Sequence, residues 1–228
     1  ASIGWQQEGK YPYARLMGGD GMQIQIDKRN PNIVFTGYQY GSYYRINRTD
    51  ESKSKFIAPK AKKGDKPYRY NWQSPILLSS HNQDILYLGS NFLHRSMNQG
   101  DTWTAISPDL TQGGKQGNVA FGTLTTISES PFEFGVLYTG SDDGLVQFSN
   151  NGGANRKVIS TTLPQNLWVS RVVASAHKKE RVYVTLNGYR NDDFTSYVYV
   201  SEDAGQTWKN IANNLPASPV NVILEDSV

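Results

Sequence analysis

Cysteine does not occur in these 228 residues, which excludes disulfides, zinc–thiolate sites and thiol nucleophiles while leaving the compartment open. Histidine occurs three times, as His81, His94 and His177. No metal-ligand spacing relates them, so each is expected on a loop or strand edge and no metal is called for. No apolar stretch approaches the length of a membrane-spanning helix. Charge of one sign is also scarce: 23 Lys and Arg against 20 Asp and Glu leave a net +3, too little to argue for nucleic acid. The one basic run, from Lys53 and Lys55 through Lys60, Lys62, Lys63 and Lys66, is broken by Gly64, Asp65 and Pro67 and reads as a solvated loop. Phosphate loops, nucleophile elbows and dinucleotide fingerprints are missing too, and no cofactor is expected. The opening Ala1-Ser2-Ile3-Gly4-Trp5 has neither an initiator Met nor an apolar leader core, and reads as the start of a mature product or of an excised segment.

What is present is a period. Short apolar runs ending near Gly recur as Ile33-Val34-Phe35-Thr36-Gly37, Ile85-Leu86-Tyr87-Leu88-Gly89 and Val136-Leu137-Tyr138-Thr139-Gly140, with a looser copy at Val182-Tyr183-Val184-Thr185-Leu186. The glycines fall 52 and 51 residues apart. Ahead of each run lies another strand-like stretch: Met22 to Asp27, Pro75 to Ser79, Gly122 to Ser128 and Val169 to Ser175, with Val220 to Glu225 beginning a fifth. A fixed period of this length decides the architecture before local propensity does.

A second pattern runs in phase with the first. Ser96, Asn98, Gly100 and Trp103 form one copy; Ser149 and Gly153, with Arg156 in place of Trp, form another; Ser201, Asp203, Gly205 and Trp208 form the third. Their starts are 53 and 52 residues apart. The pattern suits a hairpin turn, in which the Asx side chain accepts backbone N–H groups, Gly supplies positive φ, and Trp buries against a neighbouring sheet. These ten residues are accordingly read as structural. The units predict an all-β β-propeller of four-stranded antiparallel blades near 18–60, 72–112, 118–165 and 167–216, with 217–228 starting a further blade. Four blades are expected to be part of a larger propeller, completed by more of the same polypeptide or by a second subunit.

The turns match the consensus S-x-D-x-G-x-T-W, and with strands such as Leu86-Tyr87-Leu88-Gly89 the chain resembles the BNR/Asp-box superfamily of sialidases, sortilin-like ectodomains and xyloglucan-active endoglucanases over nearly its whole length. Gly18-Gly19-Asp20-Gly21, Pro67 to Pro75, Trp168-Val169-Ser170-Arg171 and Gly188 to Phe194 resemble segments of sortilin-like exported bacterial proteins often labelled glycosyl hydrolase. The resemblance implies an extracellular or periplasmic protein. In the xyloglucan-active enzymes a catalytic Asp follows a Gly-rich strand, and the matching stretch Phe35 to Arg45 places Gln39 there. An amide serves neither as acid nor as base.

Fold alone does not assign function, so the site must be sought in particular residues. Asp20, Asp142, Asp143, Asp192 and Asp193 sit beside Gly or Asn in turns; of these, Asp142, Asp192 and Asp193 are the candidate catalytic carboxylates for a polysaccharide-active glycoside hydrolase. Tyr38, Tyr40, Arg69, Trp72, Arg171 and Arg190 are the candidate binding residues, rings and guanidinium groups suited to stacking and bidentate bonding. The leading expectation is a surface that binds a polysaccharide or a protein ligand without turnover.

Overall fold

In the computed structural model, which describes residues 16–226, the strands form four separate antiparallel sheets. Ala1 to Trp5 and the last two residues of the chain lie outside the described residues. The first sheet is β1 (Gln25–Ile26), β2 (Ile33–Tyr38), β3 (Ser42–Asn47) and β4 (Lys55–Phe56), and the second is β5 (Ile76–Leu78), β6 (Leu86–Gly89), β7 (Leu93–Ser96) and β8 (Thr104–Ala105). The third is β9 (Leu124–Glu129), β10 (Leu137–Ser141), β11 (Val146–Ser149) and β12 (Lys157–Val158), and the fourth is β13 (Trp168–Ala174), β14 (Val182–Asn187), β15 (Tyr197–Ser201) and β16 (Lys209–Asn210). Strands lie in chain order within every sheet, the meander of a propeller blade.

Burial falls from the middle of each sheet to its outer edge. Strands β6 and β10 are buried along their whole length because neighbouring sheets cover both faces. That is why they read as unbroken apolar or small runs rather than as alternation. The fourth strands are two exposed residues each. Lys55, Lys157 and Lys209 place charge on this free edge, which discourages pairing with another chain.

The core lies between sheets. Phe35, Tyr43 and Ile57 meet Ile76, Leu86 and Leu88; Tyr87, Leu93 and Leu110 meet Leu124 and Leu137; Tyr138, Val146 and Ile159 meet Val169, Val184 and Leu186. Each such buried Leu or Val contributes about 1.5–3 kcal/mol. His94, expected at an edge, is instead 1% exposed inside β7. Its ring lies 4.5 Å from that of Tyr68, its Nε2 is 2.8 Å from Ser90 Oγ, and burial pulls its pKa down to about 4.

The Ser-x-Asx-x-Gly turns join the third and fourth strands of sheets two, three and four. Gly100, Gly153 and Gly205 N–H donate to Ser96, Ser149 and Ser201 Oγ at 2.8, 2.9 and 2.8 Å. Asn98, Asn151 and Asp203 Oδ1 accept from the N–H of Thr102, Asn155 and Thr207 at 2.9, 2.7 and 2.8 Å. Gly205 has φ +89°, and a Cβ there would lie 2.4 Å from Ile159 Cδ1 of the preceding sheet, so the position excludes a side chain twice over. Trp208 Nε1 donates to Ile159 O at 2.7 Å, and Trp103 Nε1 to Ile57 O. Arg156, in the corresponding place of sheet three, leaves Nη1 buried without a partner.

Joints between sheets alternate. Ile76 and Leu78 N–H donate to Gln23 and Gln25 Oε1, and Val172 and Ala174 N–H donate to Thr126 and Ser128 Oγ1 and Oγ. Between sheets two and three the device differs: Ser79 Oγ and Tyr87 OH donate to the Glu129 carboxylate at 2.6 and 2.9 Å, and His81 Nε2 lies 2.8 Å from Ser130 O. The same set recurs 96 residues further on, where Ser175 Oγ and Tyr183 OH donate to Glu225 at 2.7 and 2.9 Å and His177 Nε2 lies 2.5 Å from Asp226 O. Val220 to Glu225 forms no strand ladder among the described residues, yet these bonds, with one from Ser170 Oγ of β13 to Val220 O, hold it to sheet four.

Candidate functional site

Register identifies the two ends of the sheets. In sheet four, Trp168 pairs with Asn187 at one end, whereas Ala174, Val182 and Ser201 align at the other, where the Ser-x-Asx-x-Gly turn lies. A cavity of about 500 Å³ lies near the Trp168 end, lined from the innermost strands and their leads by Gln23, Gln73, Thr125, Trp168, Ser170 and Arg171. Asn187, Tyr189, Arg190, Asn221 and Val222 complete it. Its size is that of ordinary small-ligand sites.

Two β-bulges shape the wall. The ladders skip Thr125 in β9 and Ser170 in β13. A bulge re-aims the side chains around it: Val169, Val172 and Ala174 all reach the core shared with sheet three, although the first two are three positions apart. Trp168 and Arg171 are left off that core and line the cavity. The skipped hydroxyls are used as joints, Thr125 Oγ1 donating to Val169 O and Ser170 Oγ to Val220 O, both at 2.6 Å.

Arg171 is the electrostatic feature of the cavity. Its Nε is buried without a hydrogen-bond partner, and burial lowers its pKa, although a guanidinium remains protonated at any ordinary pH. No Asp or Glu is among the described residues lining the cavity. Arg190 contributes a second positive charge and lies 4.0 Å from the Trp168 ring centroid, a cation–π contact. It sits in the 3-10 turn Tyr189–Asn191, ended by Asp192 at φ 56°. Neither arginine pairs with Asp192 or Asp193 among the described residues: Asp193 accepts from Thr195 N–H and Tyr197 OH at 2.9 and 2.7 Å.

The remaining predicted residues lie elsewhere. Asp142 is 4% exposed and accepts from Gly122 N–H, Thr123 N–H and Thr123 Oγ1 at 2.9, 2.9 and 2.6 Å, which ties the lead of β9 to the β10–β11 loop. Burial raises its pKa. Asp143 accepts from Ser141 Oγ and Gln112 N–H. Arg69 donates to Gly122 O, Asp109 and Thr111 at 3.0, 2.6 and 3.0 Å, so its guanidinium serves the frame rather than facing a ligand. Gln39, in the place of the acid, donates to Asp20 at 2.9 Å. Tyr38 lies tilted against Tyr44 with centroids 6.1 Å apart, while Tyr40 and Trp72, each about half exposed, form an edge-on pair with centroids 5.2 Å apart.

Sequence reading therefore named Arg171 and Arg190 at the cavity and missed Trp168, Tyr189, Asn187, Gln23 and Gln73. A usable signal existed: polar residues inside an inner strand otherwise built of Val. Among the described residues, no group of three or more His, Asp or Glu is placed to hold a metal ion, and no helix is long and apolar enough to cross a membrane.

No family model matches the chain, and no curated protein matches it in sequence. Solved structures do. The GH74 xyloglucanase from Xanthomonas campestris is 18% identical with a TM-score of 0.59, the match covering 86% of this chain and 30% of that one. The GH74 enzyme of Niastella koreensis is 21% identical with a TM-score of 0.57, over 86% and 31%. The WD40 repeats of RRP9 are 12% identical with a TM-score of 0.57, over 86% and 52%. The chain thus spans about a third of the length of the GH74 proteins it matches. At these identities the likeness shows fold alone, and with the four meanders it makes the chain a four-bladed segment of a β-propeller.

Proposed function

We propose that this chain is a ligand-binding segment of an exported, Asp-box-type propeller, that it takes a glycan in the cavity beside β13, and that it performs no turnover. The observation that carries the reading is the distribution of charge. Glycoside hydrolysis needs two carboxyl groups about 5 Å or about 6.5–9.5 Å apart, and no carboxylate is among the described residues lining the cavity. Asp142 and Asp193 are committed to backbone and hydroxyl donors. What the cavity does offer is arginine, amide and aromatic side chains, the groups that recognise sugars by hydrogen bonding and ring contact. A polysaccharide ligand places the protein in the periplasm or outside the cell. The test is a glycan array with calorimetry on the hits, alongside reducing-end release from xyloglucan and other β-glucans. Binding without release supports the reading; absence of binding to any glycan rejects it.

The second reading, a glycoside hydrolase, is favoured by the likeness to GH74 xyloglucanases and by Asp192, whose carboxylate makes no hydrogen bond among the described residues. Release of reducing ends that Asp192→Asn abolishes would establish it; Asn also tolerates the left-handed backbone there.

Val220 to Asp226, bonded to sheet four as Glu129 and Ser130 are bonded to sheet two, is proposed as the inner strand of a further sheet, whose other strands come from more of the polypeptide or from a second subunit. Light scattering on the 228-residue chain separates these sources, since a closed dimer requires the second.

A further inference from the structure

On the reading of the cavity as a glycan site, we infer that the sugar it takes is a uronic acid, with its carboxylate seated on Arg171. Arg29, Arg45, Arg69 and Arg181 each face a carboxylate of this chain: Asp27 and Asp84, Asp101, Asp109, and Glu202. Among the described residues Arg171 faces none and its buried Nε–H is unpaired; Arg156 shares that state, but only Arg171 and Arg190 of the arginines line the cavity. A partly desolvated cation without a partner is costly, and an incoming anion reduces that cost. The guanidinium fork matches the two oxygens of a carboxylate, and the single charge of a uronate balances the half-buried cation of Arg171, with Arg190 adding to the attraction.

The rest of the wall fits a sugar ring. Gln73 has no internal side-chain bond among the described residues, and Gln23 uses its Oε1 toward Ile76 N–H while its amide N–H groups stay free to donate. Amides donate and accept in turn, as vicinal hydroxyls do. The exposed ring of Tyr189 offers a surface for the C–H face of a pyranose. A peptide ending in a carboxylate would bring the same anion without vicinal hydroxyls, and the experiment separates the two.

The experiment titrates the 228-residue chain with four probes: trigalacturonate, its carboxyl-reduced counterpart, a sulfated galactan oligosaccharide, and a short peptide with a free C-terminus. Calorimetry gives affinity, and the Nε–H resonance of Arg171 reports contact. Trigalacturonate is expected to bind and to shift that resonance. Its affinity is expected to fall about ten- to a hundredfold in Arg171→Gln, less in Arg171→Lys, and not at all in Arg48→Gln. Equal binding of the reduced trisaccharide overturns the acid assignment and leaves the glycan site standing. Binding of the sulfated galactan in place of trigalacturonate overturns the carboxylate. Binding of the peptide alone overturns both readings, as does failure of all four probes to move the resonance. If Arg171→Gln misfolds, the resonance in the unaltered chain decides the question.

Discussion

At one end of the sheets, Ser96, Ser149 and Ser201 make the same bond to a glycine N–H, an Asx oxygen accepts the N–H four residues on, and an isoleucine of the preceding sheet fills the space a glycine side chain would need. At the other end no two loops agree: Tyr40 crosses Trp72, Asp142 ties the lead of β9, and Arg190 covers Trp168 over an unpaired Arg171. The repeated end satisfies its polar groups wherever the pattern is kept and leaves Arg156 Nη1 unpaired where Arg replaces Trp, whereas the varied end leaves Arg171 Nε unpaired beside a cavity. Repetition accounts for the fold, whereas the departures from it locate the chemistry.

The largest test of this contrast is Trp208→Ala. Trp208 packs on the core between sheets three and four and bonds Ile159 O, so its loss is expected to lower unfolding free energy by about 3 kcal/mol, read by urea denaturation. Ligand affinity should not change. A comparable loss of affinity would show that the two ends are coupled and break the contrast.

Arg171→Met works in the opposite direction. It removes a desolvated, unpartnered charge while keeping an apolar stem, and is expected to raise stability by about 1.5 kcal/mol while abolishing anion binding. A stability loss would mean that Arg171 has a structural partner and that its end of the sheets is as satisfied as the other. Arg156→Trp sharpens the comparison from the repeated end. It supplies sheet three with the ring that sheets two and four possess, within reach of Ile106 O beside Gly153, and is expected to add about 1 kcal/mol, measured in the same denaturation series.

These residues also show how far sequence reasoning reaches. The spacing of Gly37, Gly89 and Gly140, and of the three serines, carries the meanders because each unit must bury its strands against the next and the turns repeat with them. The alternation of the joints, with one device on sheets two and four, stayed hidden, since Glu129 and Glu225 are bonded to residues about 50 positions away. The cavity was hidden for a related reason. Trp168, Gln73, Gln23 and Asn221 come from four places in the chain, and a bulge at Ser170 decides that Arg171 leaves the core. Alternation alone cannot show a skipped residue. The absence of metal-ligand spacing, which led to an edge position for His94, says nothing of burial, and His94 lies inside β7.

The smallest effect expected separates one turn from its copies. Asp203 has its pKa pulled down to about 2 by the hydroxyls of Thr207 and Ser201 and the N–H of Thr207, whereas Asn98 and Asn151 hold their turns without titrating. A carboxyl whose folded pKa lies below its unfolded value stabilises the fold above the unfolded value, near 3.8, and loses that contribution as pH falls through the folded one. Asp203→Asn keeps the acceptor of the Thr207 N–H. The difference in urea midpoint between this variant and the unaltered chain should therefore be constant above about pH 5 and shrink to nothing by about pH 1. Using the difference cancels the other lowered carboxyls, among them Asp27, Asp109 and Glu225. A difference that persists at low pH would mean that shape rather than charge distinguishes Asp203, and that the fourth sheet's turn is no mere copy of the others.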